Sequence, residues 1–285
     1  MKIWRRMWRT NKIGTIAFVY IIFTILVGLF ANVLAPADPY KMSVMKNLKP
    51  PSLKHWSGTD RYGRDVLSRV IHGTQLTLKV GFLAVLGSTV IGTILGLSSV
   101  LSRILNTVLM RLVDVLMSLP GIFLALALVA LMGPSEWTVI IALTVVYIPR
   151  TARIVNGRAI EIYETTFVDA ARAVGAGYLR ILLRHIFPSV FPALIVQITF
   201  VFATVILAET SLSFLGAGAP QPAPSWGNIM SEAKDYMRQA PWLTIAPGTV
   251  IFLFVMSLNL FGDLLREMLD PKMRGVQAVT TRAAE

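Results

Sequence analysis

The chain has no cysteine. That removes disulfides, thiolate metal sites and cysteine nucleophiles together. No glycine is followed by lysine, so there is no GxxxxGK[ST] loop to cradle ATP. Neither HExxH nor GxSxG occurs, which excludes those zinc-peptidase and serine-hydrolase signatures. Only three histidines are present, His55, His72 and His185, and they are dispersed. Charge is also scarce, at 15% of residues, and the apolar runs hold no paired carboxylates. Intramembrane catalysis and proton-relay transport rest on such groups. The expectation is a non-catalytic chain with no metal site and no cofactor of its own.

What the sequence does have is apolar length, with 55% of its 285 residues hydrophobic. Six runs approach or reach the length needed to cross a bilayer: 13–35, 80–101, 112–133, 137–149, 186–208 and 240–262. The fourth is short, and becomes long enough when extended through Arg150 and Arg153, whose stems can snorkel to the headgroups. This predicts an all-α integral membrane protein with six transmembrane helices. The first run follows Lys2, Arg5, Arg6, Arg9 and Lys12, the charge order of a signal peptide, but it exceeds a signal peptide's apolar core and reads as an uncleaved span. In the second, Ser88, Gly92 and Gly96 recur every four residues. They form either a face for close helix packing or the ordinary glycine content of a membrane helix. Asp114 in the third run is expected near the interface or beside Arg111, three residues away. The fifth ends at Glu209, and Pro188, Pro192, Pro241 and Pro247 predict kinked helices.

The net charge of +12 does not point to nucleic acid, because the basic residues are spread over segments between apolar runs. Loops facing anionic lipid account for them better. With the N-terminus inside, the inner segments hold 17 lysines and arginines and the outer ones nine, so both termini are expected in the cytoplasm of a bacterial inner membrane. The chain divides into a basic tail, first span and extracytoplasmic segment (1–75), a core (76–272) with a cytoplasmic loop at about 156–190, and a C-terminal tail (273–285).

That loop is the most informative stretch. Phe167, Ala170, Ala171 and Val174, then Leu179, Leu182, Leu183 and Ile186, fall near helical spacing, while Arg172, Arg180 and Arg184 supply charge. Gly175 and Gly177 break a single helix, so two short helices are expected before the chain restarts at Pro188 and Pro192. Asp169-Ala170-Ala171, Gly175 and His185-Ile186-Phe187-Pro188 resemble the EAA loop of ABC importer permeases, closest to the dipeptide, oligopeptide and nickel branch. Asp169 stands for the usual glutamate and Phe187 for the usual leucine. The resemblance implies a short helix docking in a groove of an ATP-hydrolysing subunit. Small residues at Ala170, Ala171 and Gly175 would allow close approach, and Asp169, Arg172 and Arg184 would make charge-assisted contacts beside His185 and Pro188.

Three further motifs resemble the same branch. Gly58, Thr59, Asp60, Gly63, Arg64, Asp65, Ser68 and Arg69 match GTDxxGRDxxSR. Val66, Val70 and Ile71 with the charges opposite predict an amphipathic helix along the outer face or over the pore mouth, acting as a structural cap rather than touching substrate. Ser213 and Gly216 lie in an LSFLG match and Trp226 in a PSWG match, read as an ordered outer loop with Trp226 near an interface. That loop could be re-entrant and touch a binding protein. Residues 262–271 resemble GDGLRDALDP, with Leu264 for a glycine, and Asp263 and Arg266 read as an intrahelical pair. The resemblance implies the type I ABC importer permease fold, a second homologous permease, two ATP-binding subunits that hold ATP and Mg, and an extracytoplasmic substrate-binding protein. The implied substrate is a peptide, with nickel or glutathione as the alternative. A stand-alone ion-coupled carrier and a membrane enzyme are the rival classes, and both lack their signatures.

Overall fold

The structure, a computed structural model, describes residues 7, 8 and 10–269. The remaining basic residues of the N-terminus, the Asp270-Pro271 end of the last motif and the tail 273–285 lie outside them. Helix α1 is Lys12–Leu29, capped by the Asn11 side chain, which accepts from the Gly14 N–H at 2.9 Å. Helix α2, Val66–Ser98, is capped in the same way by Asp65. Its 33 residues extend roughly 50 Å. A hydrocarbon core of about 30 Å leaves several turns outside. Arg103–Ser118 (α3) and Gly121–Met132 (α4) follow, then Glu136–Tyr163 (α5), Thr166–Ala173 (α6) and the helical run Tyr178–Phe214 (α7). Trp226–Glu232 (α8) and Trp242–Leu269 (α9) complete the chain.

Helices α1, α2, α5, α7 and α9 are each long and apolar enough to cross a membrane. The third predicted run is different. It divides into α3 and α4, which meet at 89°, the geometry of a broken span or of a re-entrant loop, so the five candidate spans become six when this bent pair is counted as one. The break has a local cause: Leu119 precedes Pro120, and its ψ of 135° is the extended geometry that proline imposes on the residue before it.

The helices α2 and α5 pack along one another, α7 packs on α9, and α9 on α1. A Cβ added to Gly92 would lie 2.7 Å from Thr151 Cβ, and one on Gly96 2.7 Å from the Ala152 carbonyl. The small-residue face is therefore a packing face. Where Leu264 replaces the family glycine, close approach comes from the other helix. A Cβ on Gly14 would lie 2.6 Å from Leu264 Cβ.

Several expectations are corrected. The amphipathic stretch after Asp65 is not a surface helix but the first turns of α2, and position 75 falls inside that helix. The second short helix and the restart at Pro188 are one continuous run, with a π turn over Leu182–Ile186. Pro188 has no N–H to return to Arg184, and the wider turn ahead of it accommodates the missing bond. Glu209 does not end the helix, which runs on to Phe214. It is buried within α7, where its Oε1 accepts from Ser213 Oγ at 2.8 Å. Asp114 pairs with Arg153 of α5 rather than with Arg111. No ion pair joins Asp263 to Arg266; in the same turn Glu267 instead faces Asn11 at 3.5 Å.

Candidate functional site: an exposed loop and a buried charge cluster

At one end of the bundle α6 bridges the end of α5 and the start of α7. Val168 is its anchor, fully buried among Leu97, Val100, Val155, Ile181 and Ile186. The other faces are open. Phe167 is 47% exposed, Val174 85% and Leu179 67%. Asp169, Ala170, Arg172, Arg184 and Pro188 are exposed, while Ala171 and His185 are half-buried. Asp169 and Arg172 engage each other at 2.9 Å, and Arg172 also lies 4.1 Å above the Tyr163 ring. The His185 ring meets Phe167 edge-on with centroids 6.0 Å apart.

Gly175 ends α6 by backbone geometry. Its φ is +79°, its N–H returns to the Arg172 carbonyl and the Ala176 N–H to the Ala171 carbonyl. These two bonds form a Schellman cap, which wants glycine because the left-handed region is costly for any residue with a Cβ. A Cβ there would meet none of the described residues within 4 Å.

At the opposite end lies a cluster of four charges. Arg64 Nε donates to Asp60 at 2.6 Å and its Nη2 to Glu232 at 2.5 Å. Arg69 Nη1 donates to Asp60 at 2.8 Å and to Glu232 at 2.6 Å, while Nη2 reaches the other Glu232 oxygen at 3.0 Å. All four side chains are at most 4% exposed. Two guanidiniums and two carboxylates sum to zero, which is what makes their burial tolerable. Asp65 accepts from the Ser68 N–H and hydroxyl and lies 2.9 Å from His55 Nδ1. Gly58 and Gly63 make the turns that bring these residues together, with φ of +71° and +69°. The charges expected to face outward therefore face one another.

Glu232, their shared partner, was not singled out in the sequence. It lies 163 residues from Arg69, inside no recognisable motif. Trp226, expected near an interface, is fully buried on the same helix. Its Nε1 donates to the Val70 carbonyl and to Thr74 Oγ1, each at 3.3 Å, and its ring meets Phe254 with centroids 5.9 Å apart. Ser213 is buried near the end of α7, and Gly216, with φ +85°, follows that helix. Among the described residues no three His, Asp or Glu side chains come together to hold a metal.

Residues 88–275 match the family described as binding-protein-dependent transport system inner membrane component. Residues 1–51 match the N-terminal transmembrane domain of oligopeptide transport permease C. The chain belongs to the inner membrane components of binding-protein-dependent transport systems. It is 43% identical over 270 residues to a putative peptide transport system permease protein of Brucella suis, covering 95% of this chain and 91% of that one. A dipeptide transport system permease, DppC, of Alkalihalophilus pseudofirmus is 38% identical, with 93% and 88% covered. A glutathione transport system permease, GsiD, of Escherichia coli is 42% identical, with 95% and 90% covered. A chain of the MetNI methionine ABC transporter, solved in inward facing conformations, shares the fold with a TM-score of 0.61. That likeness is 21% in identity and covers 71% of this chain and 96% of that chain. The protein is thus a multi-pass ABC importer permease of the inner membrane.

Proposed function

We propose that this chain forms half of the pathway of an ATP-driven peptide importer, beside a second, homologous permease and above two ATP-binding subunits. In this reading ATP and Mg are held entirely by those subunits, and the chain itself catalyses nothing. Both termini and α6 lie in the cytoplasm, and the Asp60–Glu232 cluster lies outside, on the side from which a binding protein delivers substrate. The observation that carries the reading is the exposure of α6. It is a helix of two turns, fixed by one buried valine, with apolar and charged side chains turned away from its own bundle. Such a knob suits a groove on a partner. ATP-driven closure of the partners would displace α6 and rock the spans between inward-open and outward-open states.

Peptides are the substrate proposed, because relatives over most of the chain are named for peptide and dipeptide transport. Glutathione, itself a small peptide, is the second reading, supported by the 42% relative. The test is ATP hydrolysis by the chain purified with its co-expressed partner subunits and reconstituted, with binding protein that is empty or loaded with dipeptide, oligopeptide or glutathione. Hydrolysis is expected to rise several-fold with one of these ligands. The absence of any copurifying ATPase would overturn the reading.

A further inference from the structure

Helix α6 hangs between two tyrosines, and one of them reaches far beyond the loop. Tyr163 is the last residue of α5 and Tyr178 the first of α7, with ring centroids 6.0 Å apart. Arg172 of α6 lies over the first. The hydroxyl of Tyr178 donates to the carbonyl of Val100, 78 residues away. Val100 sits in the 3-10 turn Ser99–Leu101, the elbow between α2 and α3. The elbow is gripped from α5 as well, since Asn156 Nδ2 donates to Ser99 Oγ and, at 3.1 Å, to Asn106 Oδ1 of α3. Val168 of α6 shares a buried cluster with Val100. The loop thus touches the root of α3 through an apolar contact and one directed hydrogen bond.

The geometry points to Tyr178 as a positioning residue that passes displacement of α6 to the elbow at Val100, and through it to the bent pair α3/α4. This rests on the coupling role proposed above. Apolar contacts between Val168 and Val100 can slide, because dispersion has no preferred direction, whereas a hydroxyl-to-carbonyl bond fixes both distance and orientation. The bent pair α3/α4 is the element next to that elbow. The backbone at Leu119 and Pro120 leaves the helical region, so α3 has no helical hydrogen-bond ladder joining it rigidly to α4. A shift of the elbow can therefore change the α3/α4 angle without unwinding either helix.

The test is Tyr178→Phe in the complex with its ATPases. Tyr178 is 36% exposed and phenylalanine fills the same space, so folding and assembly are expected to match the parent. Basal ATP hydrolysis should stay within about twofold. Peptide transported per ATP, read with whichever ligand stimulated hydrolysis above, should fall about three- to tenfold, the scale set by the loss of one hydrogen bond. A second readout separates transmission from plain stability. In this cysteine-free chain, spin labels on Val174→Cys and Ile104→Cys should keep one distance with and without ATP in the parent. With Tyr178→Phe that distance should become ATP-dependent or broaden. An unchanged transport-to-ATP ratio and an ATP-independent distance in Tyr178→Phe would overturn the inference while leaving the coupling reading in place. A parent chain that recruits no ATPase would overturn both.

Discussion

Glu232→Ala is expected to destabilise the end of the bundle opposite α6 severely. The change leaves Arg64 and Arg69, both almost fully buried, sharing Asp60 alone. Two guanidiniums against one carboxylate leave an uncompensated buried charge, a situation worth about 3–5 kcal/mol of destabilisation. That is a large share of the 5–15 kcal/mol by which a folded domain is typically stable. In detergent, the purified chain should unfold on the order of 10 °C earlier than the parent. Lys79→Ala is the control. It removes an ion pair to Glu136 whose partners are 54% and 26% exposed, and such pairs contribute about 1 kcal/mol or less. A Glu232→Ala chain that melts within about 2 °C of the parent would mean that the cluster does not hold residues 58–69 to α8.

At the other end Gly175→Val should abolish transport while leaving insertion into the membrane intact. The bundle is indifferent to a side chain there, since an added Cβ meets nothing within 4 Å. The left-handed backbone is not indifferent. A β-branched residue at φ +79° is strained by roughly 1–2 kcal/mol or more, which releases the two cap bonds and turns the end of α6. Gly175→Asn separates conformation from crowding, because asparagine tolerates the left-handed region while still presenting a side chain to a partner. Transport retained by Asn and lost by Val assigns the need to the cap. Loss in both assigns it to close approach by the ATPase. Transport at parental levels in Gly175→Val, measured by peptide uptake into proteoliposomes, would remove the docking role from this residue.

The loop was legible because its signals are local. An amphipathic two-turn helix, a glycine at its end and the run into His185 and Pro188 can all be read from neighbouring residues. The π turn over Leu182–Ile186 was not, since a shift from i→i+4 to i→i+5 bonding leaves the composition of a helix unchanged. The motif from Gly58 to Arg69 was visible, but its orientation was inverted. Charged residues opposite Val66 and Val70 read as a solvated face, and only the distant Glu232 turns them into an interior. Hydropathy likewise counted 112–133 as one span, because a sum over residues carries no information about direction. The bend of 89° at Leu119 and Pro120 was not read from the sequence. Trp226 followed the habit of tryptophan at interfaces, yet its N–H finds two partners on α2 and can be buried without loss.

Whether α6 meets an ATPase is directly measurable, because the chain has no cysteine. Val174, 85% exposed at the end of α6, and Leu53, fully exposed near the opposite end, can each be made the only cysteine of the chain. With a short bismaleimide, in complexes whose ATPase carries surface cysteines, Val174→Cys is predicted to form an adduct with the ATP-binding subunit and Leu53→Cys none. In intact cells a membrane-impermeant maleimide should label Leu53→Cys only. Labelling of Val174→Cys from outside, together with no ATPase adduct, would contradict a cytoplasmic α6 docked on an ATPase.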